Sequence, residues 1–309
     1  MTTTSLITSF MRVADAYGPG KFGLSFELFP PKTEAGEAAL WRNLDELMAF
    51  SPSFVTCTYG AGGTTRAKTL DIVSHVQLRY GCPVASHLTC VGSTVADLRA
   101  YLSEARSRGI DNIVALRGDP PKGEASFRPV EGGLRYANEL VSLIRSEFAG
   151  LGVAVAGYPE THQEAPSAET DLLNLKRKVD CGGDVVITQL FYDNDDFLRF
   201  RDRCDAAGIR VAIVPGILPI TNFAQVQRIT SLCKARLPEK LCTALAGCGE
   251  DEEAQFALGV DYATRQVQGL IDAGAPGLHF YVLNKSPATV RVLQAVRRPV
   301  VRESRDAAQ

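Results

Sequence analysis

Short apolar runs alternate along this chain with longer stretches in which apolar residues recur every three or four positions. The short runs are typical of buried strands, and the longer stretches are typical of helices that bury one face. Eight strands are predicted, at 22–29, 53–59, 84–90, 112–116, 153–158, 184–191, 210–217 and 277–283. Helical patterns follow at 38–50, 69–80, 95–108, 134–148, 168–181, 195–207, 222–235 and 256–273.

The spacing of these elements predicts a (β/α)8 TIM barrel, because the early strands start about 30 residues apart, the length of a βαβ unit. The interval from 210 to 277 is about twice as long, which indicates an extra helical segment before the last strand. A doubly wound open sheet is the alternative, although no Gly-x-Gly-x-x-Gly follows the first strand. We expect one catalytic domain over 1–309, with the barrel proper at about 20–298, an N-terminal extension at 1–20, a frayed tail at 299–309 and no C-terminal regulatory domain.

Composition narrows the class of protein without indicating its chemistry. Apolar residues make up 45% and charged residues 22%, which is ordinary for a globular domain and excludes a disordered or coiled-coil chain. The net charge of −2 gives no sign of a nucleic-acid partner, and no apolar run approaches the ~18 residues of a membrane span. Eight cysteines without metal-site spacing, and no secretory signal, predict reduced thiols in a cytoplasmic protein. We also expect a homo-oligomer.

The active site of such a barrel lies at the carboxyl ends of its strands, and every predicted strand end here is polar or marked by Gly or Pro. Glu27 alternates with Phe26 and Leu28 in the first strand, so its side chain points the opposite way from theirs. Burial inside the barrel is expected to raise its pKa, which would make it an acid near neutral pH. The alternative is a structural carboxylate paired with an arginine.

The ends of strands three to six supply further candidates. His87 lies in the last part of the third strand, although a single histidine there is more often a hydrogen-bonded core residue. Arg117 and Asp119 follow the fourth strand and can bind a polar heterocycle, or else pair to fix their loop. Gln189 ends the sixth strand, where an amide suits a pterin.

Polar residues on the helix after the fifth strand share one face. Asp171, Asn174 and Lys178 stand at i, i+3 and i+7, which is either a solvated face or a surface for ribose hydroxyls and phosphates. The four histidines are scattered, without metal-ligand spacing, and no Ser-His-Asp order is legible. The chemistry is therefore expected to come from an organic cofactor, without a metal.

These strand ends resemble the 5,10-methylenetetrahydrofolate reductases over about residues 20–298, a family of flavin-dependent (β/α)8 barrels. The matching motifs stand at 25–31, 58–61, 87–90, 115–119, 158–160, 171–178, 187–189, 215–217 and 279–284. The resemblance implies that NADH or NADPH reduces FAD and leaves. Methylenetetrahydrofolate then takes the same face and is reduced to 5-methyltetrahydrofolate, which feeds one-carbon metabolism and methionine synthesis.

The resemblance also implies roles for individual residues. Glu27 would be the general acid, and Asp119 would shape the charge around flavin and pterin. Substrates would contact Thr58, Gln189, Gln225 and Lys285. FAD would contact Tyr59, Ala61, His87, Arg117, Gly118, Asp119, Tyr158, His162, Ala165, Asp171, Asn174, Arg177 and Lys178.

One position departs from the family pattern, which more often has Arg where this chain has Lys285. Arg binds a carboxylate or pterin through two parallel hydrogen bonds, whereas Lys is a point charge, so a weaker folate contact is expected. Lys285 also leaves a Schiff-base aldolase as a competing hypothesis. A non-catalytic folate- or flavin-binding subunit is a third, against which Glu27 argues, because binding alone needs no buried acid.

Overall fold

The computed structural model describes residues 11–59, 66–120, 123–124 and 126–299. Eight parallel strands close into a barrel in chain order, and the first strand pairs with both the second and the eighth. The predicted (β/α)8 barrel is confirmed. The strands are β1 Gly23–Leu28, β2 Phe54–Cys57, β3 Val84–Thr89, β4 Asn112–Leu116, β5 Gly152–Gly157, β6 Val185–Leu190, β7 Ala212–Ile217 and β8 Gly277–Tyr281.

Helices surround the barrel, and polar residues before six of them accept a backbone N–H from the first turn, a contact that stabilises the helix start. These caps are Thr33, Thr94, Ser167, Asp193, Asn222 and Asp251. No helix in the described part of the chain is long and apolar enough to cross a membrane. The helices are α1 Glu34–Met48, α2 Arg66–Tyr80, α3 Val95–Ser107, α4 Ala137–Glu147, α5 Ala168–Asp180, α6 Asn194–Ala206, α7 Phe223–Cys233, α8 Glu239–Gly247, α9 Glu252–Asp272 and α10 Pro287–Ala295.

The extra helical segment before the last strand holds three helices, α7 to α9, where the sequence pattern predicted two. The additional helix, α8, has nine residues and buries only Leu241 and Leu245. Two apolar positions one turn apart are too few to stand out as a helical period, which explains why the pattern missed it.

Alternation along β1 decides what faces the barrel interior. Phe26 and Leu28 pack into the apolar layer between barrel and helices, so Ser25 and Glu27 point inward. A short 3-10 turn, Val13–Ala16, fills the lower end of the barrel, and the backbone N–H of Val13 donates to Asn112 Oδ1 at 2.8 Å. Part of the predicted N-terminal extension therefore completes the core, and the site lies at the opposite end.

Candidate active site

A buried polar cluster lies inside the barrel below its carboxyl-end mouth. Glu27 is 7% exposed, and two histidines reach the same carboxylate oxygen, Oε2, from different strands. His87 Nε2 approaches it to 3.3 Å, and His279 Nε2 to 3.5 Å. His279 is fully buried and places its other ring nitrogen, Nδ1, 2.8 Å from Ser25 Oγ. We call Ser25, Glu27, His87 and His279 the floor cluster.

The electrostatics of Glu27 differ from the sequence-based expectation of a raised pKa. Burial raises the pKa, but the charge of His87 and hydrogen bonds from His279 and His87 outweigh burial and lower the pKa to about 2. Glu27, His87 and His279 therefore form one coupled group, in which the carboxylate is stabilised by its two imidazole neighbours.

The β4 end of the mouth is organised by Arg117. Its guanidinium donates two hydrogen bonds of 2.7 Å to the two carboxylate oxygens of Glu164 and lies 5.1 Å from the Phe127 ring. Gly118 has φ +87°, and a Cβ there would stand 2.7 Å from Val91 Cγ1, so both backbone and space require glycine. Asp119 is exposed beside it.

The β5 end of the mouth meets Arg117 with aromatic and charged groups. The Tyr158 and His162 rings pack edge to face at 4.6 Å, and Lys178 Nζ lies 5.8 Å from the Tyr158 ring while donating to the Ala156 carbonyl. Burial lowers the pKa of Lys178 to about 8. Asp171 accepts the backbone N–H of His162 at 2.9 Å and opposes that lowering. We call Arg117, Tyr158, His162, Glu164, Asp171 and Lys178 the β4–β5 rim.

Three predicted cofactor residues lie along or beside this rim without contributing to its buried contacts. Asn174 and Arg177 are exposed on α5, where the guanidinium donates to the amide oxygen at 2.9 Å. Ala165 is half-buried, and its backbone N–H donates to the His162 carbonyl. This exposed polar pair is open to a ligand from the solvent side.

Gln189 stands at an irregularity in the sheet. The β6–β7 register shifts between Ile187 and Leu190, and the Gln189 side chain accepts the backbone N–H of Leu190 at 2.9 Å. Such shifts re-aim side chains next to active sites. Tyr281 stabilises the same strand by donating to the Thr188 carbonyl at 2.6 Å. Gln189 is half-exposed at the mouth, and its substrate contact stays a prediction.

A cleft of about 430 Å³ opens beside the mouth, between the ends of β7 and β8. It brings together Gln225 and Lys285, two of the predicted substrate residues, with Tyr281, Phe256 and Glu252. Lys285 is exposed, which disfavours the aldolase hypothesis, because Schiff-base lysines are activated by desolvation or by a neighbouring cation.

The end of β2 is only partly described. Thr58 is half-buried next to the mouth, where its backbone N–H bonds the Leu28 carbonyl at 2.9 Å. Tyr59 is buried, and its ring packs edge to face against Tyr101 of α3, with the ring centroids 5.7 Å apart. Ala61 lies outside the described residues.

Comparisons with known proteins agree with this arrangement. Residues 12–297 match the family described as methylenetetrahydrofolate reductase. The 5,10-methylenetetrahydrofolate reductase of Escherichia coli K12 is 43% identical over 267 residues, covering 86% of this chain and 88% of that protein. This chain belongs to the methylenetetrahydrofolate reductase family.

Other relatives of this reductase family are longer. Methylenetetrahydrofolate reductase (NADH) 1 of Zea mays is 40% identical over 292 residues, covering 91% of this chain and 49% of that protein. The chain thus spans about half the length of the plant relatives it matches. A solved Clostridium thermocellum protein described as binding two copies of 5-methyl-5,6,7,8-tetrahydrofolic acid shares the fold, with a TM-score of 0.58 and 14% identity over 89% of this chain and 94% of that one.

Sequence reasoning missed three residues of this reductase site: Ser25, Glu164 and His279. Their partners lie 254, 47 and 252 residues away in the chain, so no local spacing connects them. The same alternation of side chains that predicts an inward-pointing Glu27 also predicts that Ser25 and His279 point inward. That alternation could have identified both residues. No such signal exists for Glu164, which stands in an irregular loop. The described residues hold no group of three or more His, Cys, Asp or Glu side chains suited to a metal ion.

Proposed function

We propose that this protein is a flavin-dependent reductase that converts 5,10-methylenetetrahydrofolate to 5-methyltetrahydrofolate with NADH or NADPH. The observation that carries the proposal is Glu27, a buried carboxyl group coupled to two imidazoles below the mouth of a methylenetetrahydrofolate reductase barrel. Opening the methylene bridge of the folate needs a proton, and a water-excluded acid cluster can hold one there.

Three features of the rim fit FAD. Arg117 and Lys178 bring two cationic groups to one side of the mouth, which suits the electron-rich edge of a flavin or its phosphates. The Tyr158 ring offers an aromatic surface beside them. The Thr89 hydroxyl is buried next to Gly118 without a hydrogen-bond partner among the described residues, and a ligand would satisfy it. These residues would hold FAD, which would supply hydride transfer from the nicotinamide to the folate, and both substrates would use the mouth in turn.

The protein's own residues then divide the work. The floor cluster holds the proton and Glu27 delivers it, while Gln189 offers both an amide donor and an acceptor to the ring that occupies the mouth. Gln225 and Lys285 line the adjoining cleft, where the more distant part of the folate would extend. Asp119 places a negative charge at the rim, next to Arg117.

The proposal is tested on purified protein in two assays. The protein should be yellow with bound FAD and should oxidise NADH or NADPH with menadione as the acceptor. Replacing menadione by methylenetetrahydrofolate should give 5-methyltetrahydrofolate. A colourless protein that takes up no FAD would contradict the flavin assignment. A yellow protein that reduces menadione but leaves folate unchanged would contradict the substrate.

A further inference from the structure

His279 is isolated from solvent behind Glu27. It is 0% exposed, and its two ring nitrogens face only Glu27 Oε2 at 3.5 Å and Ser25 Oγ at 2.8 Å among the described residues. Ser25 is also 0% exposed and lies deeper in the barrel. Any proton that His279 exchanges with the mouth therefore passes through Glu27.

The Ser25 hydroxyl can adopt two roles toward His279. It can donate to the Leu278 carbonyl, 3.4 Å away, and accept a hydrogen bond from Nδ1–H. The unprotonated Nε2 of neutral His279 then accepts a hydrogen bond from the protonated Glu27 carboxyl group. Alternatively, Ser25 donates to Nδ1, and Nε2–H then donates to the Glu27 carboxylate. The orientation of one hydroxyl thus selects which protonation state of Glu27 is favoured.

Few other groups near the cluster can take up charge. Burial, with Glu27 as a further cause, raises the pKa of the Cys57 thiol on β2 and of the Tyr281 phenol on β8. Burial also raises the pKa of Tyr17 below Ser25. All three stay neutral near pH 7, so the charge is shared among Glu27, His87 and His279.

We propose that His279 is a positioning residue that stores the proton Glu27 delivers, and that Ser25 sets its tautomer. This inference rests on the proposed reductase function. Imidazolium His279 breaks its Nε2–H bond, and the proton forms an O–H bond on the Glu27 carboxylate. Neutral His279 remains, with Nδ1–H held by Ser25. The transfer moves a proton and no electrons, and the protonated Glu27 carboxyl group then protonates the substrate. The 3.5 Å separation is typical of catalytic contacts that tighten when substrate binds.

The first test reads the proton directly. The chain has four histidines, so ¹⁵N-histidine NMR of the purified flavoprotein gives few imidazole signals. Glu27→Gln should change the ¹⁵N shifts of both His279 ring nitrogens at a fixed pH, because the carboxylate that faces Nε2 is lost. His75, exposed on α2, is the internal control and should not move. Unchanged ¹⁵N shifts of His279 in Glu27→Gln would overturn the proposal.

The second test compares two buried serines. Ser25→Ala removes the partner of Nδ1–H, so the alkaline limb of the folate-reduction pH profile should move to lower pH by about one unit, a tenfold change in proton affinity. Ser86→Ala is the matched control, because Ser86 is fully buried on β3 but bonds the Tyr101 hydroxyl away from the cluster. Identical pH profiles for the two variants would overturn the role of Ser25.

The two tests separate this inference from the proposed function. A wild type without folate reduction would refute the function, whereas the NMR coupling of His279 to Glu27 is measured without any turnover. NADH oxidation with menadione checks that each variant is folded and holds its flavin. His279→Gln, compared with the wild type at equal flavin content, should lose the alkaline limb of the folate profile. Retention of the wild-type profile would count against proton storage.

Discussion

The floor cluster and the β4–β5 rim share one barrel mouth but differ in burial and in the kind of charged groups that they contain. In the floor, Glu27 is 7% exposed and meets two imidazoles with no lysine or arginine among the groups that set its pKa. In the rim, the Arg117 and Glu164 side chains stay 20% and 37% exposed and form a full ion pair. Permanent charges are thus kept where water still reaches them, and the transferable proton is kept where water is excluded.

The difference indicates a division of labour. A buried carboxylate that faces two imidazoles has neighbours of the side-chain type that exchanges protons near neutral pH, which suits proton delivery. A rim with a permanently charged guanidinium, a half-buried ammonium and an aromatic ring suits the holding of an anionic, flat ligand. If this comparison is correct, substitutions in one region should leave the task of the other region intact.

The largest effect is expected from Glu27→Gln. Removing the acid should lower folate reduction by about 10²- to 10⁴-fold, the usual contribution of a general acid. FAD content and NADH oxidation with menadione should remain near wild type, because the rim is unchanged. Glu37→Gln, at an exposed glutamate, is the control. Folate turnover that survives Glu27→Gln would remove the acid role.

A smaller effect is expected at the rim from Lys178→Met. Losing one charged hydrogen-bond donor costs about 1.5–3 kcal/mol, so FAD should bind about 10- to 100-fold more weakly in a flavin fluorescence titration. Lys176→Met is the matched control, because Lys176 lies on the same helix and pairs with Asp180 on its outer side. Equal losses in both variants would show that helix α5 as a whole, rather than Lys178, is responsible.

The pH dependence of FAD binding should follow Lys178. Its pKa is lowered to about 8, so the ammonium is present below that pH and is lost as the pH rises through it. FAD affinity should therefore fall above about pH 8, by up to tenfold per pH unit through linkage. Lys178→Met should give a flatter profile over the same range. If the wild type bound FAD with the same affinity from pH 7 to pH 10, the assignment of the Lys178 ammonium to the flavin would be contradicted.

The smallest effect is expected from Lys285→Arg in the adjoining cleft. A guanidinium can form two parallel hydrogen bonds where the ammonium acts as a point charge, and exposed charge pairs are worth about 0.2–1 kcal/mol. The KM for methylenetetrahydrofolate should fall by about two- to fivefold, with kcat and FAD affinity unchanged. An unchanged KM would place the folate away from this residue.

The sequence predicted the barrel and its open end well, because short apolar runs in strands and the recurrence of apolar residues along helices are local signals. Its errors have physical causes. Helix α8 buries too few apolar residues to show a period, and the turn Val13–Ala16 is stabilised by Asn112, which is remote in sequence. The raised pKa expected for Glu27 counted burial alone, whereas His87 and His279 arrive from β3 and β8.

Most residues of the candidate site were predicted from the resemblance to the methylenetetrahydrofolate reductases, and few from the pattern of apolar and polar positions. Alternation alone identified Glu27, but the contact between Arg117 and Glu164 joins a strand end to an irregular loop. Pairs of that kind depend on the closed geometry of the barrel, which brings β4 and β5 side by side. The periodicity of apolar residues within one strand or helix does not predict contacts between residues so far apart in the chain.

The independence of floor and rim is tested most directly by one double-mutant cycle on the FAD dissociation constant. The cycle uses the wild type, Glu27→Gln, Lys178→Met and the double variant. Distant sites without shared partners add within about 0.3–0.5 kcal/mol. We therefore predict that Lys178→Met weakens FAD binding by the same factor, within about twofold, in both backgrounds. A factor that changes by tenfold or more in the Glu27→Gln background would show that the two regions act as one, and would contradict the account.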